Sequence, residues 1–255
     1  MNHRLYRTGR LVVFACVALW GGAANGASAE GPREVRPTGL QGPLGNERLS
    51  DGDRLTRHAY ATTRAPVHRR PFGTSPIVAR LHFFSEDGPE EVYLVVSSRV
   101  DVAGRTWLRV RVPQRPFAPT GWVVREALGD LIAVRTKLRV NRRTLRAVLY
   151  RNGRRIWSSR IGVGTPATPT PAGRFWIRTR LRLLRRDTIY GPWAFGTSAY
   201  AVLSDWPGGD VVGIHGTNRP TLIPGRPSHG CIRVPNPQIE RLARLMPVGT
   251  PVEIL

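Results

Sequence analysis

The sequence predicts a mainly β protein in two parts, closed by a single C-terminal helix. Three observations carry this expectation. Apolar and polar residues alternate in short runs, as in Trp107-Leu108-Arg109-Val110-Arg111-Val112, where Leu108, Val110 and Val112 share one face. The 27 glycines and 22 prolines interrupt the chain too often for many long helices. Only near residues 236–246 do apolar side chains recur at helical spacing.

The elements follow in order. Arg4, Arg7 and Arg10 precede the apolar run 11–24, and Ala27-Ser28-Ala29 supplies a small-x-small site, so residues 1–29 are expected to be a removable export signal. The run is shorter than the ~20 residues a spanning helix needs, and no later segment is long and apolar enough. Cys16 lies inside this run, where a lipid-attachment reading fits poorly. Residues 30–57 mix Pro, Gly and charge without an apolar period, and are expected to form a disordered linker. Residues 58–128 hold strand-like runs at Ile77-Val78-Ala79, 92–96, 107–112 and 121–124. In 130–255, Ile132-Ala133-Val134 and 137–140 suggest one hairpin. Residues 145–150 and Ile156-Trp157 suggest another across Asn152-Gly153, a pair suited to a type I′ turn. The proline-rich stretch 162–173 reads as a loop leading into the strand 174–177. After it, Asn236 is expected to cap a helix with Pro237 in its first turn and Ile239, Leu242, Leu245 and Met246 on one face. Pro247 stops that helix, and Val252-Glu253-Ile254 closes the fold as a strand.

The formal charge is +22, and removing residues 1–29 takes away three arginines and no acids, leaving +19. Such a charge favours anionic surroundings, among them cell-wall polymers and acidic headgroups. Lys137 is the only lysine, and the arginines spread over every segment instead of forming a stripe, which reads more as composition than as a dedicated site. Nucleic acid is not expected as a partner, because no helix-turn-helix, zinc-finger or aromatic single-strand platform is present and the chain is read as exported.

Chemistry concentrates in His215-Gly216-Thr217 and in Ser228-His229-Gly230-Cys231-Ile232-Arg233. With the signal gone, Cys231 is the one thiol left, so it cannot serve an internal disulfide. An unassisted thiol is mostly protonated at neutral pH, and a neighbouring imidazole activates it by taking the proton. His229 shares a strand face with Cys231 by its two-residue spacing, while His215 ends its own apolar strand across a proline-punctuated loop. Spacing alone favours His229 as the base. Gly230 allows a tight approach before the nucleophile, so that the amides of 229–231 can face an oxyanion. Each part also has an ordinary reading: a lone cysteine fills apolar space, and His3, His58, His68 and His82 are read as plain structural residues. Zinc ligation by His215, His229 and Cys231 lacks a supporting Cys-x-x-Cys, His-x-x-x-His or acidic neighbour. No metal and no cofactor is expected.

These residues resemble the signature of the L,D-transpeptidases, the YkuD-type catalytic domain. The likeness extends to residues 145–177, including Ile161-Gly162-Val163-Gly164-Thr165, and to the ending Pro247-Val248-Gly249-Thr250-Pro251-Val252, so it covers about 130–255. It implies a β-sandwich-like catalytic domain. By the same likeness Cys231 is the nucleophile, His215 the general base oriented by the Gly216 carbonyl, and His229 a residue lining the site. The Gly230 and Cys231 amides would form the oxyanion hole. Ser228, Arg233, Tyr190 and Trp193 are candidate substrate contacts, the last two in an expected flap over 181–200. The implied reaction is acyl transfer on peptidoglycan tetrapeptide stems. Cys231 displaces D-Ala, and an amine then resolves the thioester into a 3→3 crosslink or a protein attachment. With water as acceptor the enzyme is an L,D-carboxypeptidase. A sortase-like enzyme would carry a Thr-rich strand before its cysteine, and a non-catalytic wall-binding protein would not need this constellation. The expected location is the periplasm or cell wall. Trp107–Val112 followed by Gly121-Trp122-Val123 resembles the bacterial SH3-like modules, which implies a small β-barrel over 58–128.

Overall fold

The computed structural model describes residues 46–86, 88–115, 118–185, 187–201 and 211–255. The expected export signal and the linker up to residue 45 lie outside the described residues.

Two sheets make up the described chain. The first holds β1 (Asn46–Arg48), β2 (Thr56–Ala59), β3 (Pro66–His68), β4 (Ile77–Arg80), β5 (Tyr93–Val100), β6 (Thr106–Arg111), β7 (Thr120–Val124) and β8 (Ile132–Val134). Its order is β4-β3-β7-β6-β5-β2-β8, with β1 also on β5. Leu108 and Val110 are buried on one face of β6 and Val112 just past its end, as their alternation predicts, beside Tyr93, Val95 and Val123. Trp107, on the other face, is also buried and donates its indole N–H to Asp101 at 2.9 Å. Part of the expected linker is therefore structured: β1 and the start of β2 fall within it, because both pair along the edge of β5 that β6 leaves open.

The second sheet holds β9 (Thr136–Asn141), β10 (Arg146–Arg151), β11 (Arg154–Arg160), β12 (Gly162–Gly164), β13 (Gly173–Arg182), β14 (Trp193–Tyr200), β15 (Val211–His215), β16 (Gly225–Ser228), β17 (Ile232–Arg233) and β18 (Pro251–Ile254). Its order is β11-β10-β9-β18-β13-β14-β15-β17-β12-β16. The β10–β11 turn is the expected one, with Asn152 at φ 51° and Gly153 at φ 77°. The expected hairpin between 132–134 and 137–140 does not form. Only Arg135 separates β8 from β9, too little chain for a turn, so β8 pairs with β2 and β9 with β10 and β18. The first sheet consequently ends at Val134, a few residues past the expected boundary near 128–130.

The helix α1 (Asn236–Leu245) buries Ile239 and Leu242, with Met246 just beyond its end, against the core of the second sheet. A smaller cluster of Val92, Leu94 and Trp176, with Tyr60 and Val248 against it, joins residues of both sheets. The described residues pack as one unit, and none of their helices is long and apolar enough to cross a membrane.

Candidate active site

Strands β15 and β17 run parallel, with Ile214 opposite Ile232 and His215 opposite Arg233. Cys231, one residue before β17, therefore stands level with Gly213. The Gly213 amide donates to Cys231 Sγ at 3.4 Å. Gly213 and His215 face the same side of β15 by the two-residue period of a strand. A Cβ on Gly213 would stand 3.7 Å from Cys231 Sγ and 3.7 Å from His215 Cδ2. Sulfur and imidazole thus share the space left by one missing side chain, separated by no more than twice that distance.

The imidazole is fixed from behind. His215 Nδ1 lies 2.7 Å from the Gly216 carbonyl oxygen, which can only accept, so Nδ1 carries the proton and Nε2 offers its lone pair. The turn that aims this carbonyl is held by Gly216 N–H on Trp193 O at 3.1 Å and by Thr217 N–H on Asn236 Oδ1 at 2.8 Å. A side chain at Gly216 would collide with Asn236 Oδ1, and that crowding explains the glycine. Tyr190 meets the His215 ring edge-on, with centroids 5.0 Å apart.

The cysteine loop is tied from two directions. Ser228 Oγ donates to the Cys231 carbonyl at 2.5 Å and accepts from Gly230 N at 3.2 Å. From the 162–173 segment, Thr170 Oγ1 donates to the Gly230 carbonyl at 2.7 Å while accepting from Gly164 N at 2.9 Å. Thr165 N–H adds a bond to Ser228 O at 2.9 Å. Gly230 has φ 128°, a conformation that side chains disfavour.

A cavity of about 350 Å³ opens over these groups. Its walls include Thr179, Leu181, Ile189, Tyr190, Phe195, Ala201 and Val211, with Gly213, His215, Ser228, His229, Cys231 and Arg233 at the chemical end. Burial holds the His215 imidazole down to about 4, the Gly216 hydrogen bond opposing and the Arg233 guanidinium assisting the drop. Burial also pushes the Cys231 thiol up, against the Gly213 amide and Arg233. At neutral pH both partners are consequently uncharged at rest. Arg233 Nε is buried without a hydrogen-bond partner among the described residues.

The YkuD-type L,D-transpeptidase catalytic domain, as a family model, matches residues 135–254. YkuD of Bacillus licheniformis is 37% identical over 125 residues, which are 49% of this chain and 67% of that protein. The chain belongs to the L,D-transpeptidase family. YqjB of Bacillus subtilis is 31% identical over 126 residues, covering 45% of this chain and 68% of the relative. YkuD of Bacillus subtilis is 37% identical over 103 residues, and there the match spans 40% of this chain and about half the relative, 56%. Among solved structures, the catalytic domain of the Enterococcus faecium L,D-transpeptidase is 26% identical, with 47% of this chain and 96% of that one covered and a TM-score of 0.35.

Within this L,D-transpeptidase domain, Cys231, His215, Gly216, Ser228, Tyr190 and Arg233 converge, and His229 lines the same cavity from an exposed position. Three expectations fare differently. The Gly230 amide, expected in an oxyanion hole, is engaged by Ser228 Oγ because the turn folds back on itself. Trp193 faces away from the sulfur, into a neighbouring cleft with Arg182 and Glu240, and Arg180 lies over its ring at 4.9 Å. The expected flap is also partly sheet, since Trp193–Tyr200 is β14, hydrogen-bonded to β13 and β15. Sequence reasoning missed Gly213, Thr170 and Asn236. Asn236 was legible as a cap, but its side chain serves the His215 turn and not its own helix.

Proposed function

We propose that the chain is a cysteine L,D-transpeptidase acting on peptidoglycan tetrapeptide stems. The observation that carries this reading is Cys231 Sγ and the His215 ring lying together over Gly213, with the ring's proton fixed on the far nitrogen by the Gly216 carbonyl. As the sulfur attacks the carbonyl of the third-position diamino acid, its proton passes to His215 Nε2. A tetrahedral intermediate forms and the carbonyl electrons move onto oxygen. When that intermediate collapses, the C–N bond breaks and the departing amine of D-Ala takes the proton from Nε2, leaving a Cys231 thioester. An acceptor amine then attacks, gives its proton to His215, and the thiol is released. Neutral partners at rest suit this sequence, since charge develops only when substrate supplies groups to stabilise it.

Arg233 gives the donor's end a place. Its side chain lines the cavity and brings a cation complementary to the free carboxylate of the terminal D-Ala. The apolar walls restrict water around the thioester, which favours an amine acceptor over hydrolysis. The same reading places the protein outside the cytoplasm, in the periplasm or cell wall, after loss of residues 1–29. It also assigns residues 58–128 to an SH3-like module. Its excess positive charge suits anionic wall polymers.

Mass spectrometry of muropeptides incubated with purified protein tests the proposal. Loss of D-Ala with a new 3→3 linkage is expected, and Cys231→Ala should abolish both while leaving the fold intact. A free tripeptide as sole product would make it a carboxypeptidase. Persistent D-Ala release by Cys231→Ala would dismiss the nucleophile.

A further inference from the structure

Arg178 is 3% exposed, yet it carries a guanidinium into the interior. It sits at a β-bulge: Ile177 pairs with Thr197 and Thr179 with Gly196, so Arg178 is the extra residue between them. Two carboxylates from the first-sheet segment meet it there. Glu91, itself 4% exposed, receives Nε at 2.9 Å and also bonds Nη2. Glu86 receives Nη1 at 2.9 Å and Nη2 at 2.6 Å. Nη1 also reaches Tyr200 Oη at 3.4 Å, and the guanidinium of Arg115 lies over the Tyr200 ring at 4.9 Å. Beside this cluster the Trp176 indole donates to the Val92 carbonyl at 2.9 Å.

A buried ion pair of this kind roughly breaks even in stability against an apolar replacement. What it supplies is a fixed geometry, and the geometry here borders the cavity. Thr179, next to Arg178, is a cavity wall, and its Oγ1 accepts from Gly196 N at 3.1 Å, another wall residue. Ala201, next to Tyr200, lines the cavity and stands 3.5 Å from where a Gly230 side chain would begin. The clamp therefore bears on β13 and β14, the two strands that carry these cavity walls.

We propose that Arg178 is a positioning residue for the reaction: held at its bulge by Glu91 and Glu86, it fixes the β13–β14 wall of the substrate cavity. The first-sheet segment that carries Glu86 and Glu91 then supports the active site from outside the cavity. The proposal rests on the transpeptidase reading only for the identity of the substrate.

The test uses the full chain with Glu91→Gln, Arg178→Lys and Glu86→Gln, the last at a carboxylate whose side chain is 42% exposed. Three quantities are read: the rate of Cys231 alkylation by iodoacetamide, KM and kcat for a tetrapeptide stem, and hydrogen exchange by mass spectrometry. In Glu91→Gln and Arg178→Lys, KM should rise about 10- to 100-fold, the scale of a misplaced binding wall. Glu86→Gln should give a smaller rise in the same direction. Alkylation should stay within about twofold, since a small reagent does not need the wall. Exchange should quicken in 176–182 and 193–201 and stay unchanged in 136–160. Unchanged KM and unchanged exchange in the folded variants would overturn the proposal. So would a parallel loss of alkylation, kcat and exchange protection throughout the second sheet, which marks general unfolding. If the wild type does not turn over the stem, the substrate reading fails while the exchange pattern still judges Arg178.

Discussion

Thr170→Val removes one hydroxyl and almost no volume. That hydroxyl is 1% exposed by residue and serves two backbone groups, accepting from Gly164 N and donating to the Gly230 carbonyl. Valine fills the same space, so no cavity forms, but both backbone groups are left buried and unpaired. Each costs about 1–3 kcal/mol. Taking the lower half of that range, because the loop can relax, gives about 3 kcal/mol together. For a domain of this size 1 kcal/mol moves the midpoint by about 2–4 °C, so the melt should fall by about 6–12 °C. Differential scanning calorimetry of wild type, Thr170→Val and Thr170→Ser is the assay, with serine expected to retain most of the stability. Turnover should fall in the valine variant even well below its melting point, because the residue before Cys231 loses its anchor. A valine variant that melts with the wild type would refute the reasoning, since the two bonds would then carry nothing.

Gly213→Val should leave the sheet folded but set methyl groups against Cys231 Sγ and the His215 ring, both only 3.7 Å from the new Cβ. Thioester formation should drop on the order of 100-fold in stopped-flow measurements, and an unchanged rate would show that the space over Gly213 is not where the proton moves. Acid stability follows from two histidines, His58 and His215, each held by burial down to about 4 from an ordinary 6.5. The folded state binds their protons less readily than the unfolded chain, so stability is full above about pH 6.5 and declines as pH falls toward 4. Denaturant midpoints measured across that interval should decrease, and His58→Phe should flatten part of the slope; a midpoint constant from pH 7 to 4 would contradict both assignments.

Much of this fold was readable because local signals and the final structure agree. The Asn152-Gly153 turn, the alternating face of β6 and the apolar stripe of α1 are set by a few neighbouring residues. Pairings were less legible. Ile132-Ala133-Val134 reads as a strand, but nothing local says that its partner is β2, some seventy residues earlier. The site divides in the same way. Cys231, His215 and the glycines flanking them stand out by residue type, whereas Thr170 and Asn236 act through single hydrogen bonds across the fold. Spacing favoured His229 because it sees only the strand period. The parallel pairing of β15 with β17, invisible in the sequence, is what sets Cys231 beside Gly213, two residues before His215 on the same strand face. Asn236 shows a subtler limit: the residue fits a helix cap, and a distant turn recruits its side chain instead.

The sulfur–imidazole partnership is tested most directly by the pH dependence of thioester formation in a single turnover. With His215 neutral until about pH 4, the wild-type rate should run level through the ordinary histidine range and decline only near 4. His215→Ala should remove most of the rate and the acid decline together, while His229→Ala keeps both. An acid limb that survives His215→Ala and vanishes in His229→Ala would move the base to the other histidine and contradict the account.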